Sequence, residues 1–285
     1  MVSRAELFRS CVSDLELYGA DSAQFDTLCI FQDMLGDKNP LFKPAEPVPP
    51  DIEARIRDLV HARTQGQPLQ YLLGKWEFFG YPFFVGSGVL IPRPDTEILI
   101  EQVLDICKAQ YSGAPRIADL CSGSGCIAVT LKNLLPHADV CAVEISDTAI
   151  GFIQKNAQLN HADIRIVKGD VLSVQTADVL GSFDIIVSNP PYLSQQDMDS
   201  LQAEVRCEPS LALFGGQDGL DFYRAMTPLW KNHLNPNGWL CYEYGLGQHD
   251  DVKSILAGNG FQNITLRRDL AGIIRTAAAQ ITEVI

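Results

Sequence analysis

Apolar residues in the first 72 positions recur at helical spacing. Phe8, Cys11, Val12 and Leu15 form one stripe, and Phe25, Leu28, Cys29 and, more loosely, Met34 form a second. The proline-rich stretch from Pro40 to Pro50 reads as a loop. Asp51, after two prolines, is placed to cap a third helix whose stripe is Ile52, Ile56, Leu59 and Val60, with Gly66 as its stop. From Leu73 to Val89 the pattern turns to β-favouring aromatics: Trp76, Phe78, Phe79, Tyr81, Phe83 and Phe84. Gly80 and Pro82 break this run, which predicts a short hairpin whose rings either pack between domains or meet a ligand. An apolar helix follows over Ile98 to Lys108, with Asp95 or Thr96 as its cap.

Beyond that helix, strands and helices alternate, the signature of a parallel sheet covered on both faces. Strands are predicted at Arg116 to Leu120, Asp139 to Val143, Ile164 to Val167 and Phe183 to Ser188. Three more follow at Trp239 to Tyr242, Asn263 to Leu266 and Ile274 to Ala279, the last two joined through Arg267 to Gly272 as an antiparallel pair. The chain therefore divides into a helical N-terminal domain (1–72), a linking β-hairpin (73–90) and an α/β domain (91–285).

Composition narrows the function. With 285 residues, 46% of them hydrophobic, the chain has ample material for a core. No apolar run reaches the roughly 18 residues of a membrane span. Arg4, Glu6 and Arg9 interrupt the N-terminus, so no signal-peptide core is present, and a cytosolic protein is the simplest reading. The eight cysteines are scattered without a C-x-x-C pair, and the five histidines show no metal-ligand spacing, so neither a disulfide scaffold nor a metal site is expected. A formal charge of −13 argues against broad electrostatic binding to nucleic acid, while leaving room for a basic protein partner or a cationic small molecule.

The chemistry gathers at strand ends. The apolar run Phe183 to Val187 leads into Ser188-Asn189-Pro190-Pro191-Tyr192, where neither proline can donate to a ladder. A stiff turn at the end of a buried strand is a place where α/β proteins hold ligands. Asn189 offers a carboxamide oxygen, the prolines offer carbonyls and Tyr192 offers a flat ring, with no acid, thiol or metal ligand among them. That set suits gripping a planar NH2 group by its two N–H bonds, although such a run also serves as a purely structural turn. Strand one ends in Asp119-Leu120-Cys121-Ser122-Gly123-Ser124-Gly125-Cys126, where Gly123 and Gly125 let a ligand approach the backbone. Ala128 stands where the last glycine of G-x-G-x-x-G would be, which tilts the loop away from a pyrophosphate cradle. Glu144, at the end of strand two, can accept both hydroxyls of a ribose. Asp170 can accept from an adenine amino group while Val171 packs the ring. Each acid alone reads equally well as a helix cap; together they favour an adenosine ligand with an amino-acid arm.

These segments carry a resemblance. Ile91-Pro92-Arg93-Pro94-Asp95-Thr96-Glu97, Asp119 to Gly125, Glu144, Asn189 to Tyr192 and Phe214-Gly215-Gly216-Gln217-Asp218-Gly219-Leu220-Asp221 together resemble the release-factor glutamine methyltransferase family. The match runs in order from about Gln67 to Ala278, and the helical N-terminal region also fits. The resemblance implies a seven-stranded Rossmann-like domain that uses S-adenosylmethionine, releases S-adenosylhomocysteine and needs no metal. Its substrate would be a glutamine of peptide chain release factors, met by the N-terminal domain, without direct nucleic-acid contact. Asn189, Pro190, Pro191 and Tyr192 would form the catalytic turn, with the Asn189 side-chain oxygen and the Pro190 carbonyl accepting the two amide hydrogens and Tyr192 stacking on the glutamine plane. Asp119, Cys121, Ser122, Gly123, Ser124, Gly125, Glu144, Asp170, Val171 and Asn189 would meet the cofactor. Arg93 and Glu97 either pair on the surface or line the substrate cleft. Two departures are visible: Glu144 where many members carry Asp, and a less polar segment from Asp269 to Arg275. A glutamine methyltransferase acting on a ribosomal protein would share nearly every motif. An adenine-N6 methyltransferase would share the Asn-Pro-Pro-Tyr run but needs the basic face that this chain lacks.

Overall fold

The structure, a computed structural model, describes residues 1–20 and 22–282. The chain forms two compact units: Met1–Lys75 with Gln202–Cys207, and Trp76–Leu201 with the chain from Glu208 on. A short segment inside the predicted α/β range thus clusters with the helices, and the hairpin clusters with the sheet.

The first unit contains α1 (Arg4–Leu17), α2 (Ala23–Leu35), α3 (Pro50–Thr64) and α4 (Leu69–Leu73). A capping box opens α1: the Glu6 N–H donates to Ser3 Oγ, and the Ser3 N–H donates to the Glu6 carboxylate. Leu7, Cys11, Leu15, Ile30, Phe31 and Ile56 are wholly buried. The stripe expected on α2 is turned around the helix axis, because Ala23, Asp26, Thr27, Ile30 and Phe31 face inward while Phe25 is 54% exposed. Burying Asp26 is possible because the Arg63 Nε donates to it at 2.6 Å, and Arg63 also pairs with Glu204 of the returning segment. Nor is Asp51 the cap of α3. Pro50 occupies the first helical position, and Asp51 lies within the first turn, where its charge suits the helix dipole.

In the second unit, from Trp76 on, β1 (Lys75–Phe78, its first residue belonging to the first unit) and β2 (Tyr81–Phe84) form the expected hairpin. Phe79 and Gly80 both take positive φ, 52° and 76°, the twist that a two-residue hairpin turn requires. Phe78 and Phe83 pack into the core beside Leu99 and Val103, so these rings belong to their own unit's core.

The main sheet comprises β3 (Arg116–Leu120), β4 (Asp139–Glu144), β5 (Arg165–Lys168), β6 (Phe183–Ser188), β7 (Leu234–Glu243), β8 (Gln262–Arg268) and β9 (Ile274–Gln280). Its order is β5-β4-β3-β6-β7-β9-β8, parallel through β7 and antiparallel at β9 and β8. Alternate strand residues feed opposite faces. Ile117, Val140 and Ile185 pack with α5 (Thr96–Gln110), α6 (Cys126–Leu134) and α7 (Asp147–Leu159). Ala118, Cys141 and Ile186 pack with α8 (Val174–Leu180), α10 (Asp221–Lys231) and α11 (His249–Gly258); the short α9 (Gln195–Asp199) buries nothing. Strand β7 starts at Leu234 rather than at Trp239. Its Asn235-Pro236-Asn237-Gly238 stretch is a bulge with Asn237 at φ 62°.

Asn156 of α7 is wholly buried. Its Oδ1 accepts the Phe84 N–H at 2.6 Å, and its Nδ2 donates to the carbonyls of Phe84 and Ser124 at 3.0 and 2.9 Å. One side chain thus ties β2 to the loop after β3. Asn156→Ala leaves these buried backbone groups unpaired and is expected to cost about 2–4 kcal/mol in a denaturant titration. A loss below about 0.5 kcal/mol would show that the tie is dispensable.

Candidate functional site

The strand order reverses between β3 and β6, and in open α/β sheets ligands bind at the carboxyl ends of such a pair. A cavity of about 260 Å3 opens at that place. Four strand ends wall it: Cys121 to Ser124 with Ile127 after β3, Val143 to Ser146 at the end of β4, Gly169 to Leu172 after β5, and Asn189 with Pro191 after β6. Gly88 to Leu90, Pro92, Arg93 and Thr96 close one side, and Pro209, Leu211, Ala212 and Phe222 close another.

The loop after β3 is bent by Cys121, at φ 59°, and by Gly125, at φ 78°. A Cβ on Gly125 would stand 3.0 Å from the Ile153 Cγ2, so glycine also permits the close approach of α6 to α7. Asp119 is fully buried behind this loop, where its Oδ2 accepts the Ala128 N–H at 3.1 Å and so anchors the first turn of α6. Glu144 holds the loop from the other side. Its Oε2 accepts the Gly123 N–H at 2.8 Å, while Oε1 accepts the N–H groups of Ile145 and Ser146, both at 2.9 Å. Both acceptor sites of Oε1 are therefore in use and one on Oε2 remains, so gripping two ribose hydroxyls requires a backbone N–H to give way. Asp170 is exposed and accepts the Leu172 N–H at 2.8 Å, and Val171 is fixed by its carbonyl, which accepts from the Trp230 Nε1 at 2.8 Å.

The turn after β6 is clamped from three directions. The Leu193 N–H donates to the Leu213 carbonyl and the Gly215 N–H to the Leu193 carbonyl, at 2.8 and 2.9 Å. The Gln248 Nε2 donates to the Tyr192 carbonyl at 2.9 Å, and its Oε1 accepts the Gly245 N–H at 2.9 Å. A Cβ on Gly219 would fall 2.2 Å from that same Tyr192 carbonyl, so the Phe214 to Asp221 segment needs glycine there to reach the turn. Within the turn, the Asn189 Nδ2 donates to the Thr96 Oγ1 at 3.2 Å.

Of the residues singled out from the sequence, Arg93, Cys121, Ser122, Gly123, Ser124, Glu144, Asp170, Val171, Asn189 and Pro191 line the cavity. Asp119, Gly125, Pro190, Tyr192 and Glu97 are not among the residues that line it. Glu97 accepts the Phe79 N–H at 2.8 Å and holds the hairpin to α5, while Arg93 pairs with the buried Glu208. The two therefore neither pair with each other nor line the cleft together. Leu211, Phe222 and Gln248 escaped the sequence reading, and Thr96 entered it as a helix cap rather than as a site residue. Only Thr96 and the glycines of the Phe214 to Asp221 segment carried a signal there, by belonging to quoted motifs.

This sheet and cavity are those of a methyltransferase. Residues 94–207 match the family described as Methyltransferase small domain, and residues 6–74 match the PrmC N-terminal domain. The release factor glutamine methyltransferase of Geobacter sulfurreducens is 41% identical over 92% of this chain and 91% of its own length. That of Koribacter versatilis is 35% identical over 96% of this chain and 97% of its own. A solved methyltransferase from Pyrococcus furiosus superposes with a TM-score of 0.55 at 17% identity, covering 82% of this chain and 99% of that one, and shares the fold. The chain belongs to the release factor glutamine methyltransferase family.

Two buried carboxyls near the strand ends titrate high. Burial pushes Asp119 up to about 8 against the hydrogen bond from the Ala128 N–H, and its Oδ1 has no partner. Burial likewise pushes Glu243 up to about 7. Unfolded, both would titrate near 4, so between about pH 4 and 8 the folded chain binds more protons and stability falls as pH rises. The urea midpoint is expected to be higher at about pH 6 than at about pH 8.5, with a shallower decline in Asp119→Asn. A midpoint that rises over this range would overturn the assignment.

Proposed function

We propose that this protein transfers a methyl group from S-adenosylmethionine to the side-chain amide nitrogen of a glutamine in peptide chain release factors, as a cytoplasmic enzyme. The observation that carries this reading is the Asn189 carboxamide, set at the cavity wall on a clamped turn with its nitrogen engaged by Thr96 and its oxygen left to accept. The names of the relatives support the same acceptor.

The residues present fit the cofactor. Glu144 Oε2 and the exposed Asp170 carboxylate offer acceptors at adjacent strand ends, Gly123 leaves the backbone approachable, and Ile127, Val171 and Leu172 supply apolar wall. When bound, the cofactor supplies a methyl group on a sulfonium, an intrinsically strong methyl donor.

The chain's own task is positioning. An amide nitrogen is a poor nucleophile because its lone pair is delocalised into the carbonyl. Asn189 Oδ1 and the Pro190 carbonyl accept its two N–H bonds and aim it, Pro191 stiffens the turn, and the Tyr192 ring supports the glutamine plane. Orientation of this kind supplies up to about 7–11 kcal/mol in well-placed reactions. Burial, with the Glu243 charge as a further cause, holds the Tyr192 hydroxyl neutral, so it does not act as the base. The amide proton leaves after the transfer, to water or to a neighbouring carbonyl.

Incubating a purified release factor with this protein and S-adenosylmethionine should add the mass of one CH2 group to the glutamine of its Gly-Gly-Gln loop. No gain, with cofactor binding intact, would redirect the search to ribosomal proteins. Asn189→Ala should lower kcat by about 100-fold or more while the cofactor Kd stays within about twofold, because its oxygen serves the substrate. Glu144→Ala should raise the cofactor Kd by about 10- to 100-fold in calorimetry, and an unchanged Kd would remove Glu144 from the ribose site.

A further inference from the structure

Glu243 is the last residue of β7, and in the parallel ladder Ser188 of β6 pairs with Tyr242. The next residue of each strand, Asn189 and Glu243, therefore emerges side by side at the sheet end. Glu243 is 1% exposed, and its Oε2 has no hydrogen-bond partner. Thr96, 2% exposed at the start of α5, and Asn189 are the side chains whose hydrogen bonding favours its charged form.

A carboxamide presents two unlike ends. The Asn189 Nδ2 donates to the Thr96 Oγ1, and a threonine hydroxyl that accepts one bond keeps its own hydrogen to give. An ionised carboxylate only accepts, so it favours the hydrogens of Thr96 and of the amide nitrogen on its side. It repels the amide oxygen, strongly so in a site closed to water. The amide thus has one favoured orientation, nitrogen inward and oxygen toward the cavity that Asn189 lines.

We propose that Glu243 is a positioning residue that acts with Thr96 to hold the Asn189 carboxamide with its oxygen presented to the substrate. This role rests on the reading that Asn189 Oδ1 accepts the substrate amide. Protonated Glu243 becomes a donor as well, bonds the amide oxygen equally well, and releases the orientation. Other groups also act on it. Asp95 at the start of α5 opposes its ionisation, and Arg275 of β9 favours it, though the Arg275 Nε is shared between Asp269 and Asp95 at 3.1 and 3.3 Å. Tyr192, Tyr223 of α10 and Cys126 of α6 sense its charge without ionising in the same range.

The test is steady-state methylation of a purified release factor by the wild type and by Glu243→Gln across pH. The wild-type kcat should rise with pH through about 7, where Glu243 ionises. Glu243→Gln carries an NH2 of its own and accommodates either amide orientation. Its kcat should fall by about 10- to 100-fold with that rising limb lost, while KM and the cofactor Kd stay within about twofold. A variant that keeps full kcat and the limb overturns the proposal, as does one whose loss lies in KM or in cofactor affinity. Asp119 is intact in both proteins, so a limb due to that group would survive the substitution. Should Glu243→Gln not fold, Thr96→Val carries the same test, since it removes the bridging hydroxyl and should lower kcat and flatten the limb alike. Asn189→Ala separates the two layers. If it is inactive while Glu243→Gln is fully active, only the role of Glu243 falls; if it keeps full kcat, the reading of Asn189 as the amide acceptor falls as well.

Discussion

The Ser188 hydroxyl, wholly buried, donates to the Leu120 carbonyl at 2.7 Å and joins the ends of β6 and β3 where the sheet order reverses. From that link the chain leaves in two ways. After Leu120 it bends through Cys121 and the glycine loop into α6, and after Ser188 it enters a turn that prolines keep from extending the ladder. The crevice between these departures is where a ligand meets backbone from one strand and side chains from the next. Were the two strands to end at different heights, the loop after β3 and Asn189 would not share one cavity.

Three carboxyls near this link show how burial and partners divide roles among like groups. Glu144 satisfies three backbone N–H groups and so is held as an acceptor at the cavity wall. Asp119 has a single N–H for Oδ2 and none for Oδ1, and it anchors a helix from behind the loop. Glu243 sits beside a threonine and an asparagine with one oxygen unpaired. The number of donors each group finds, against the cost of removing its charge from water, separates an acceptor, an anchor and an orienting group.

The turn itself is a joint product of distant segments. Prolines stiffen it, but its position depends on Leu213 and Gly215, on Gln248 and on the space left by Gly219. A glycine-rich segment more than twenty residues downstream that looks like a loop in its own right is thus a brace for the residues that meet the substrate. The backbone of Gly219 and the carbonyl of Tyr192 approach more closely than any side chain would allow.

The alternation of helices and strands, the antiparallel close of the sheet and the hairpin were legible in the sequence, because the spacing of apolar residues along a strand or helix is a local property. The Asn189 turn and the acids at strand ends were legible for a related reason: proline chemistry is local, and parallel strands bring their carboxyl ends to one edge. What only the tertiary structure decided is which polar groups are spent on structure. Glu97 serves the hairpin, Asp119 serves α6, Arg93 pairs with Glu208, and Asp26 lies buried because Arg63 reaches it, whereas apolar periodicity put Phe25 on the inner face. The same holds for Glu243, an unremarked acid at a strand end until β6 sets Asn189 beside it. A residue's type states which bonds it can make, but its use depends on partners that are distant in sequence and become neighbours only on folding.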